Sequence, residues 1–108
     1  MAQTPEKKVK DAVTKILKEF GAYYFYPVMG GYGRSGIPDI ISCYKGRFIA
    51  IECKAGNNKV TALQEAELKK IEDARGYVLV VNEENIESVR NTLHTMEWVE
   101  EHNERAYD

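Results

Sequence analysis

The feature that most constrains the fold is a pair of apolar runs on either side of Lys45-Gly46. The runs cover residues 38–44 and 47–54, and each contains two isoleucines. Short runs of this kind around a turn signal are typical of two antiparallel strands. Lys45-Gly46 has the length of the two-residue turn that most often closes a hairpin. The sequence therefore predicts a β-hairpin over residues 38–54.

The register of this hairpin follows from the length of its turn. With a two-residue turn, Tyr44 pairs with Arg47, and counting outward places Asp39 directly opposite Glu52. Cross-strand partners point to the same face, with Cβ atoms about 5 Å apart. The two-residue period of a strand puts Lys54 on that face as well. A three-residue turn would leave the two carboxylates only as diagonal neighbours.

Two carboxylates placed opposite each other repel, so something must offset the cost. A divalent cation such as Mg²⁺ would do so, because it is usually held by one or two carboxylates together with substrate phosphate. The amine of Lys54 would then steady an attacking water or offset charge that develops on phosphorus. A plainer alternative remains open, in which Asp39 is a turn residue and Glu52 and Lys54 are the solvated end of an edge strand.

The hairpin lies within a regular succession of helices and strands. The predicted elements are a helix over about 5–20, a strand over 22–28, the two hairpin strands, a helix over about 61–74, a strand over 77–81 and a helix from about Asn85. The strand–helix–strand unit 47–81 calls for a parallel pair joined by a crossover. We therefore expect one α/β domain over residues 1–108, with a small mixed sheet flanked by helices. The acidic tail at about 97–108 is expected to fray.

Two polar residues fall on the inward faces of the predicted helices. Gln64 shares a line with Leu68 and Ile71, at the end of its helix that follows the hairpin, which brings it towards the carboxylates. It also fits as the capping partner of Thr61, and the two roles are compatible. Glu6 continues the apolar stripe of the first helix. It is either a third acid near a metal or an acid favoured by the helix dipole.

The same register decides the state of the two cysteines. Cys43 shares a face with Glu52, whereas Cys53 points to the other face, so a regular hairpin cannot join them in a disulfide. Cysteine ligation of zinc is disfavoured, because the two are ten residues apart with no nearby histidine. We expect both to be free, small buried residues.

Charge is distributed unevenly along the chain. Residues 1–82 carry 13 lysines and arginines against 9 acids, whereas residues 83–108 carry 2 against 8. A mildly basic body permits phosphate binding without requiring it, and a solvated surface explains the same charges. No apolar run approaches the roughly 20 residues that span a bilayer, and the N-terminus does not look like a signal peptide. We expect no membrane association and a cytoplasmic location.

Taken together, these residues resemble the PD-(D/E)xK nucleases. The motifs are Gly36-x-Pro38-Asp39, a hairpin, Glu52-x-Lys54, a short polar loop and Gln64. Within that superfamily the chain is most similar to the stand-alone VRR-NUC domains of phage and bacteria, which are close to the archaeal-type Holliday junction resolvases. The similarity runs from Glu6 to about Leu93. It implies a restriction-endonuclease-like core, with the order helix-strand-strand-strand-helix-strand, in a protein of phage or bacterial origin.

The resemblance also implies a role for each site residue. Asp39 and Glu52 would bind Mg²⁺ or Mn²⁺ together with the backbone carbonyl of Cys53, and Lys54 would position or activate the water. Gln64 would lie close to the metal and the substrate phosphate. Glu6 matches the acid of the first helix that can join the metal shell.

Contacts with DNA are expected from four further residues. Gly33, Arg34 and Ser35 occupy the place of a mobile, serine-containing loop of the related resolvases, and Lys59 adds a cation after the hairpin. Arginine would contact phosphate, and glycine lets the backbone approach DNA closely. The resemblance further implies a homodimer, which suits symmetric cleavage of a junction. The acidic tail at 97–108 lies outside the family pattern and would repel DNA if it lay near the site.

The function that this resemblance implies is a divalent-metal-dependent endonuclease acting on branched DNA such as Holliday junctions. One alternative is a catalytically inactive DNA-binding or assembly module on the same fold. A more distant alternative is a protein-interaction domain whose charged strand end is only solvated. Metal-dependent cleavage distinguishes the first from the other two, and salt-dependent binding of branched DNA separates the second from the third.

Overall fold

The structure, a computed structural model, describes residues 3–28 and 35–103. Its helices and strands are α1 (Pro5–Phe20), β1 (Tyr23–Phe25), β2 (Ile40–Tyr44), β3 (Arg47–Cys53), α2 (Ala62–Asp73), β4 (Tyr77–Val81) and α3 (Glu87–His102). The predicted succession of elements is confirmed, with β1 and β2 shorter than expected. None of the described helices is long and apolar enough to cross a membrane.

The hairpin of β2 and β3 has the predicted two-residue turn. Lys45 and Gly46 have φ angles of 51° and 77°, which are the positive values that a type I′ turn requires at both central positions. Tyr44 pairs with Arg47. Continuing the same register outward by one step beyond the last ladder pair brings Asp39 across from Glu52, so the predicted register is confirmed.

All four strands belong to one mixed sheet, in the order β1-β2-β3-β4. β1 and β3 both pair antiparallel with β2, whereas β3 and β4 are parallel and α2 connects them. The backbone N–H of Lys54 donates to the carbonyl of Val81 at 2.8 Å, which extends the parallel pairing one residue past β3. This bond fixes the backbone of Lys54, the residue that is predicted to position the attacking water.

The main core lies between one face of the sheet and helices α1 and α3. Alternate residues of the hairpin strands enter it, as the strand period of two requires, and the apolar stripes of α1 and α3 cover them. The fully buried members of this core are Val13, Leu17, Ile40, Ile49, Ile51, Cys53, Val81, Val89, Leu93 and Met96. Glu52 belongs to the opposite face of β3, where α2 packs through Leu68.

Two of the three predicted helices, α1 and α2, begin with a threonine cap. The hydroxyl of Thr4 accepts the N–H of Lys7, with Pro5 at the first helical position of α1. Thr61 and Gln64 form a complete capping box at the start of α2. The side-chain oxygen of Gln64 therefore has the capping role that was one of its two predicted roles.

The prediction that the chain frays from about residue 97 is wrong for the described part of that tail. α3 continues to His102, and two of its acids are tied to the hairpin turn. The hydroxyl of Tyr44 donates to Glu97 at 2.6 Å, and Arg47 forms a salt bridge with Glu100 at 3.1 Å. Burial, followed by this hydrogen bond, raises the pKa of Tyr44 to about 12.

The two cysteines are free, as the register predicted, but they differ in burial. Cys53 is buried in the main core, whereas Cys43 is exposed. The prediction of burial is therefore wrong for Cys43. It lies on the α2 side of the sheet, where α2 packs against β4 and leaves the β2 end of that face uncovered.

Candidate active site

Asp39 and Glu52 meet at the end of the hairpin that is remote from its turn. Asp39 lies across from Glu52 in the hairpin register and is close enough to raise the pKa of Glu52, so the structure brings together the pair that sequence reasoning placed face to face. Oδ2 of Asp39 accepts the backbone N–H of Cys53 at 2.8 Å. This bond anchors Asp39, which follows Pro38 and precedes the first ladder pair of β2. The aspartate is thus held to β3 through the backbone.

Glu52 is buried in an arrangement that does not suit a lone carboxylate. Its side chain is 1% exposed, and its Oε2 has no hydrogen-bond partner in the part of the chain that the structure describes. Burial, then the hydrogen bond and negative charge of Asp39, raise the pKa of Glu52 from 4.5 to about 9. The charge of Lys54 opposes this rise without cancelling it. The site by itself therefore disfavours a negative charge on Glu52, a cost that a bound cation would offset.

The donor set fits a hard divalent cation that is shared with a substrate. No group of three or more acid, histidine or cysteine side chains suited to a metal occurs among the described residues. Mg²⁺ needs only one or two carboxylates, because water and substrate phosphate complete its shell. The unpartnered Oε2 of Glu52 and the like-charged neighbour Asp39 are what such a cation would satisfy. Glu6 is exposed, and its negative charge makes only the smallest contribution to the raised pKa of Glu52.

A cavity of about 220 Å³ opens beside Asp39. Gln64 lines it, so the structure brings Gln64 and Asp39 to one cavity, as the inward stripe of α2 predicted. Oε1 of Gln64 accepts the N–H of Thr61 at 2.9 Å. Its Nε2 group makes no hydrogen bond to the described residues, which leaves a donor for a ligand in the cavity.

Gly36 sets the separation between this loop and α2. Its φ angle is +81°, and a Cβ placed on it would lie 2.4 Å from the carbonyl oxygen of Leu63 and 2.8 Å from the N–H nitrogen of Gln64. Only glycine allows the backbone to approach the first turn of α2 this closely. The sequence analysis noted Gly36 as part of a motif, but the helix that it packs against was not apparent from local sequence.

Gly36→Ala should therefore destabilise the protein by about 2 kcal/mol or more, because backbone rather than a flexible side chain must move. Gly56→Ala is the matched control. Its φ angle is also positive, at +59°, but a Cβ there meets nothing within 4 Å. It should cost about 1 kcal/mol, from conformation alone. Urea unfolding of both variants measures the difference, and equal losses would contradict the close-packing account.

Two residues of the cavity were missed by the sequence analysis, Lys10 and Tyr26. Nζ of Lys10 lies 4.0 Å from Oδ1 of Asp39 and 5.4 Å from the centre of the Tyr26 ring. A signal for Lys10 existed, because it follows Glu6 by four residues and so lies on the same side of α1. Tyr26 follows β1 directly, and nothing in the local sequence indicated which way its ring would point.

The predicted DNA-binding residues are only partly described. Gly33 and Arg34 lie outside the described residues. Ser35 is at the start of the segment that leads through Gly36 to Asp39, and it is exposed. Lys59 is exposed in the connection between β3 and α2. Both are accessible to a ligand, and their roles stay predictions.

Comparison with known proteins supports the fold. No family model and no curated protein matches the chain. A solved structure described as a "VRR_NUC domain" superposes on it with a TM-score of 0.63 and 20% sequence identity. The match covers 93% of this chain and 98% of that one.

The chain has the VRR-NUC fold. The resemblance that the motifs suggested is thus confirmed at the level of architecture, over nearly the whole length of both chains. In this chain the fold has a mixed sheet between α2 on one side and α1 with α3 on the other. In this chain it brings Asp39, Glu52, Lys54 and Gln64 to the same end of the hairpin.

Proposed function

We propose that the protein is a divalent-metal-dependent endonuclease that hydrolyses phosphodiester bonds in branched DNA. The observation that carries the proposal is the buried Glu52, which has one oxygen unpartnered among the described residues and lies next to Asp39, an acid that lines an open cavity. Perturbed carboxylates in a cleft are typical of catalytic sites. The VRR-NUC fold of the chain agrees with this assignment.

Each residue of the site has a distinct task in this proposal. Asp39 and Glu52, with the backbone carbonyl of Cys53, would hold Mg²⁺ or Mn²⁺, which when bound polarises the phosphate and lowers the pKa of water. Glu52 must first release its proton. Lys54 positions the attacking water and stabilises charge that develops on the phosphoryl oxygens. The free Nε2 group of Gln64 donates to a phosphate oxygen.

Three parts of the proposal rest on the resemblance. Glu6 would reach the metal through water or by a change of rotamer, since it is exposed and sits at the first turn of α1. Gly33, Arg34, Ser35 and Lys59 would contact the DNA backbone. A homodimer would present two sites to a symmetric substrate such as a Holliday junction. The cytoplasm is the proposed location.

A substrate panel tests the function directly. Purified protein is incubated with flap, splayed-arm, four-way and fully paired DNA in Mg²⁺, in Mn²⁺ and in EDTA. We expect cleavage of branched DNA with either metal and none in EDTA. Product mapping gives the strand polarity, and paired symmetric cuts in the four-way junction, together with a light-scattering mass of two chains, identify a dimer.

The outcomes separate the candidate functions. Salt-dependent binding of branched DNA without cleavage under any metal condition would indicate the inactive DNA-binding module instead. Absence of DNA binding, of cleavage and of calorimetric metal binding would contradict both and leave a protein-interaction domain. The same calorimetry run on Asp39→Ala shows whether any metal binding belongs to this site.

A further inference from the structure

Lys10 and Tyr26 stand between two adjoining cavities. One is the 220 Å³ cavity that holds Asp39 and Gln64. The other, of about 370 Å³, follows the first turns of α1 and is lined by Thr4, Glu6 and Lys7. Lys10 and Tyr26 line both. A ligand that extends from the acid pair along α1 must therefore pass over these two side chains.

The two side chains are a cation and an aromatic ring held side by side. Tyr26 is 46% exposed, and Nζ of Lys10 lies 5.4 Å from its ring centre, within the range of a cation–π contact. The ring also contacts Tyr24 edge-on, with centroids 6.1 Å apart. Tyr24 thus supports one side of the Tyr26 ring, and much of the surface of Tyr26 stays exposed.

The amine of Lys10 is held in place, but no close ion pair neutralises its positive charge. The only acid within 4.0 Å of its amine among the described residues is Asp39, at the outer limit of an ion pair. The nearby Lys7, by contrast, is paired with Asp11 at 3.1 Å. Lys10 is about one-third exposed, so its amine remains accessible from the cavity. If Asp39 binds a cation, the amine loses part of its present attraction and is available to an anion.

We propose that Lys10 and Tyr26 form a nucleotide subsite that binds an unpaired nucleotide next to the scissile phosphate. The amine of Lys10 takes the phosphate, and the base stacks on the Tyr26 ring. This inference rests on the proposed nuclease function and specifies its substrate class. An exposed aromatic ring beside a cation is the combination that binds single-stranded nucleic acid with little sequence preference.

The subsite discriminates between DNA structures because a stacked base must be free to leave its pair. In a continuous duplex, neighbouring base pairs already occupy both faces of each base. A flap, a splayed arm or a gap presents an unpaired nucleotide at no cost in pairing. The subsite therefore favours those substrates over continuous duplex DNA.

Equilibrium binding tests this without depending on catalysis. Fluorescence anisotropy is measured in Ca²⁺ with a splayed-arm oligonucleotide and with a fully paired duplex of the same sequence. Tyr26→Leu should weaken binding of the splayed DNA by about tenfold, the loss expected for one base–aromatic stack, and leave duplex binding unchanged. Tyr26→Phe should retain wild-type affinity, because it keeps the ring.

Lys10→Gln has a separate signature. Loss of one phosphate contact to a single strand should reduce the slope of log K against log salt by about 0.7. The matched controls are Tyr23→Leu, an exposed tyrosine of β1 outside both cavities, and Lys15→Gln, an exposed lysine farther along α1. Both controls should bind like the wild type. Thermal unfolding of each variant confirms that it is folded.

Three results overturn the subsite, and they differ in what they say of the proposed function. If the wild type cleaves branched DNA but Tyr26→Leu and Lys10→Gln bind both oligonucleotides as the wild type does, only the subsite fails. The same holds if they lose affinity equally for splayed and duplex DNA. If the wild type neither binds nor cleaves DNA, the nuclease function fails and the subsite fails with it.

Discussion

Asp39→Asn and Glu52→Gln should each lower the rate of DNA cleavage by about a thousandfold or more, the scale of removing a principal electrostatic contribution to a transition state. Both changes remove a charge and keep the shape of the side chain. The amide oxygen of Asn can still accept the N–H of Cys53, which Asp39 accepts at 2.8 Å. The amide nitrogen of Gln can donate to Asp39, so this variant keeps a polar contact between the two side chains.

The measurement is single-turnover cleavage of a splayed-arm substrate in Mg²⁺. Matched controls are Asp73→Asn and Glu72→Gln, two exposed acids at the far end of α2. They should cleave at the wild-type rate. Lys54→Gln should also cleave more slowly, because Lys54 is proposed to position the attacking water. It is not proposed to bind the metal, so calorimetric metal binding by this variant should stay near that of the wild type. Wild-type cleavage by Asp39→Asn or Glu52→Gln would remove the pair from the mechanism.

The second large effect concerns stability. Glu52→Gln, which should lower the rate of cleavage, should raise the stability of the metal-free protein. Because burial raises the pKa of Glu52 from 4.5 to about 9, the metal-free folded protein keeps a proton that the unfolded chain releases. Glu52 therefore makes its full contribution to the free energy of unfolding below about pH 4.5, and this contribution is lost as the pH rises towards 9. Glu52→Gln has no such proton to lose. At pH 8 in EDTA it should be more stable than the wild type by about 1–3 kcal/mol.

Thermal unfolding in EDTA between pH 5 and pH 9 measures this difference. The variant should unfold about 5–10 °C higher than the wild type at pH 8, and the gap should close towards pH 5. Saturating Mg²⁺ should raise the unfolding temperature of the wild type more than that of the variant, because only the wild type keeps both carboxylates. Parallel pH profiles of the two proteins in EDTA would show that Glu52 is not the titrating group.

The parts of the site that could be predicted were those fixed by short-range geometry. A two-residue turn determines the pairing of a hairpin, so Lys45-Gly46 was sufficient to place Asp39 across from Glu52. The threonine caps likewise located the starts of α1 and α2. Gln64 could be assigned to the correct side of α2 from its spacing to Leu68.

The parts that were not predicted depend on contacts between distant segments. Glu97 and Glu100 are each 53 residues from the hairpin residue that they contact, and local composition indicated only an acidic tail. The exposure of Cys43 depends on how far α2 extends across the sheet. Lys10 approaches Asp39 only because α1 packs across the sheet, and a sequence pattern alone does not show where that packing ends.

The attachment of α3 to the hairpin turn also organises the charge of the whole molecule. Arg47, which pairs with an acid of α3, begins β3 and lies roughly 17 Å along the strand from Glu52. The acids at the end of α3 are thereby kept near the hairpin turn, whereas Lys10 and Lys54 lie near the opposite end of the hairpin. A polyanion that approaches in the wrong orientation is turned by this asymmetry before contact. Under the proposed function, the acidic end of α3 would disfavour the approach of DNA to the hairpin turn and leave the opposite end of the hairpin open to it.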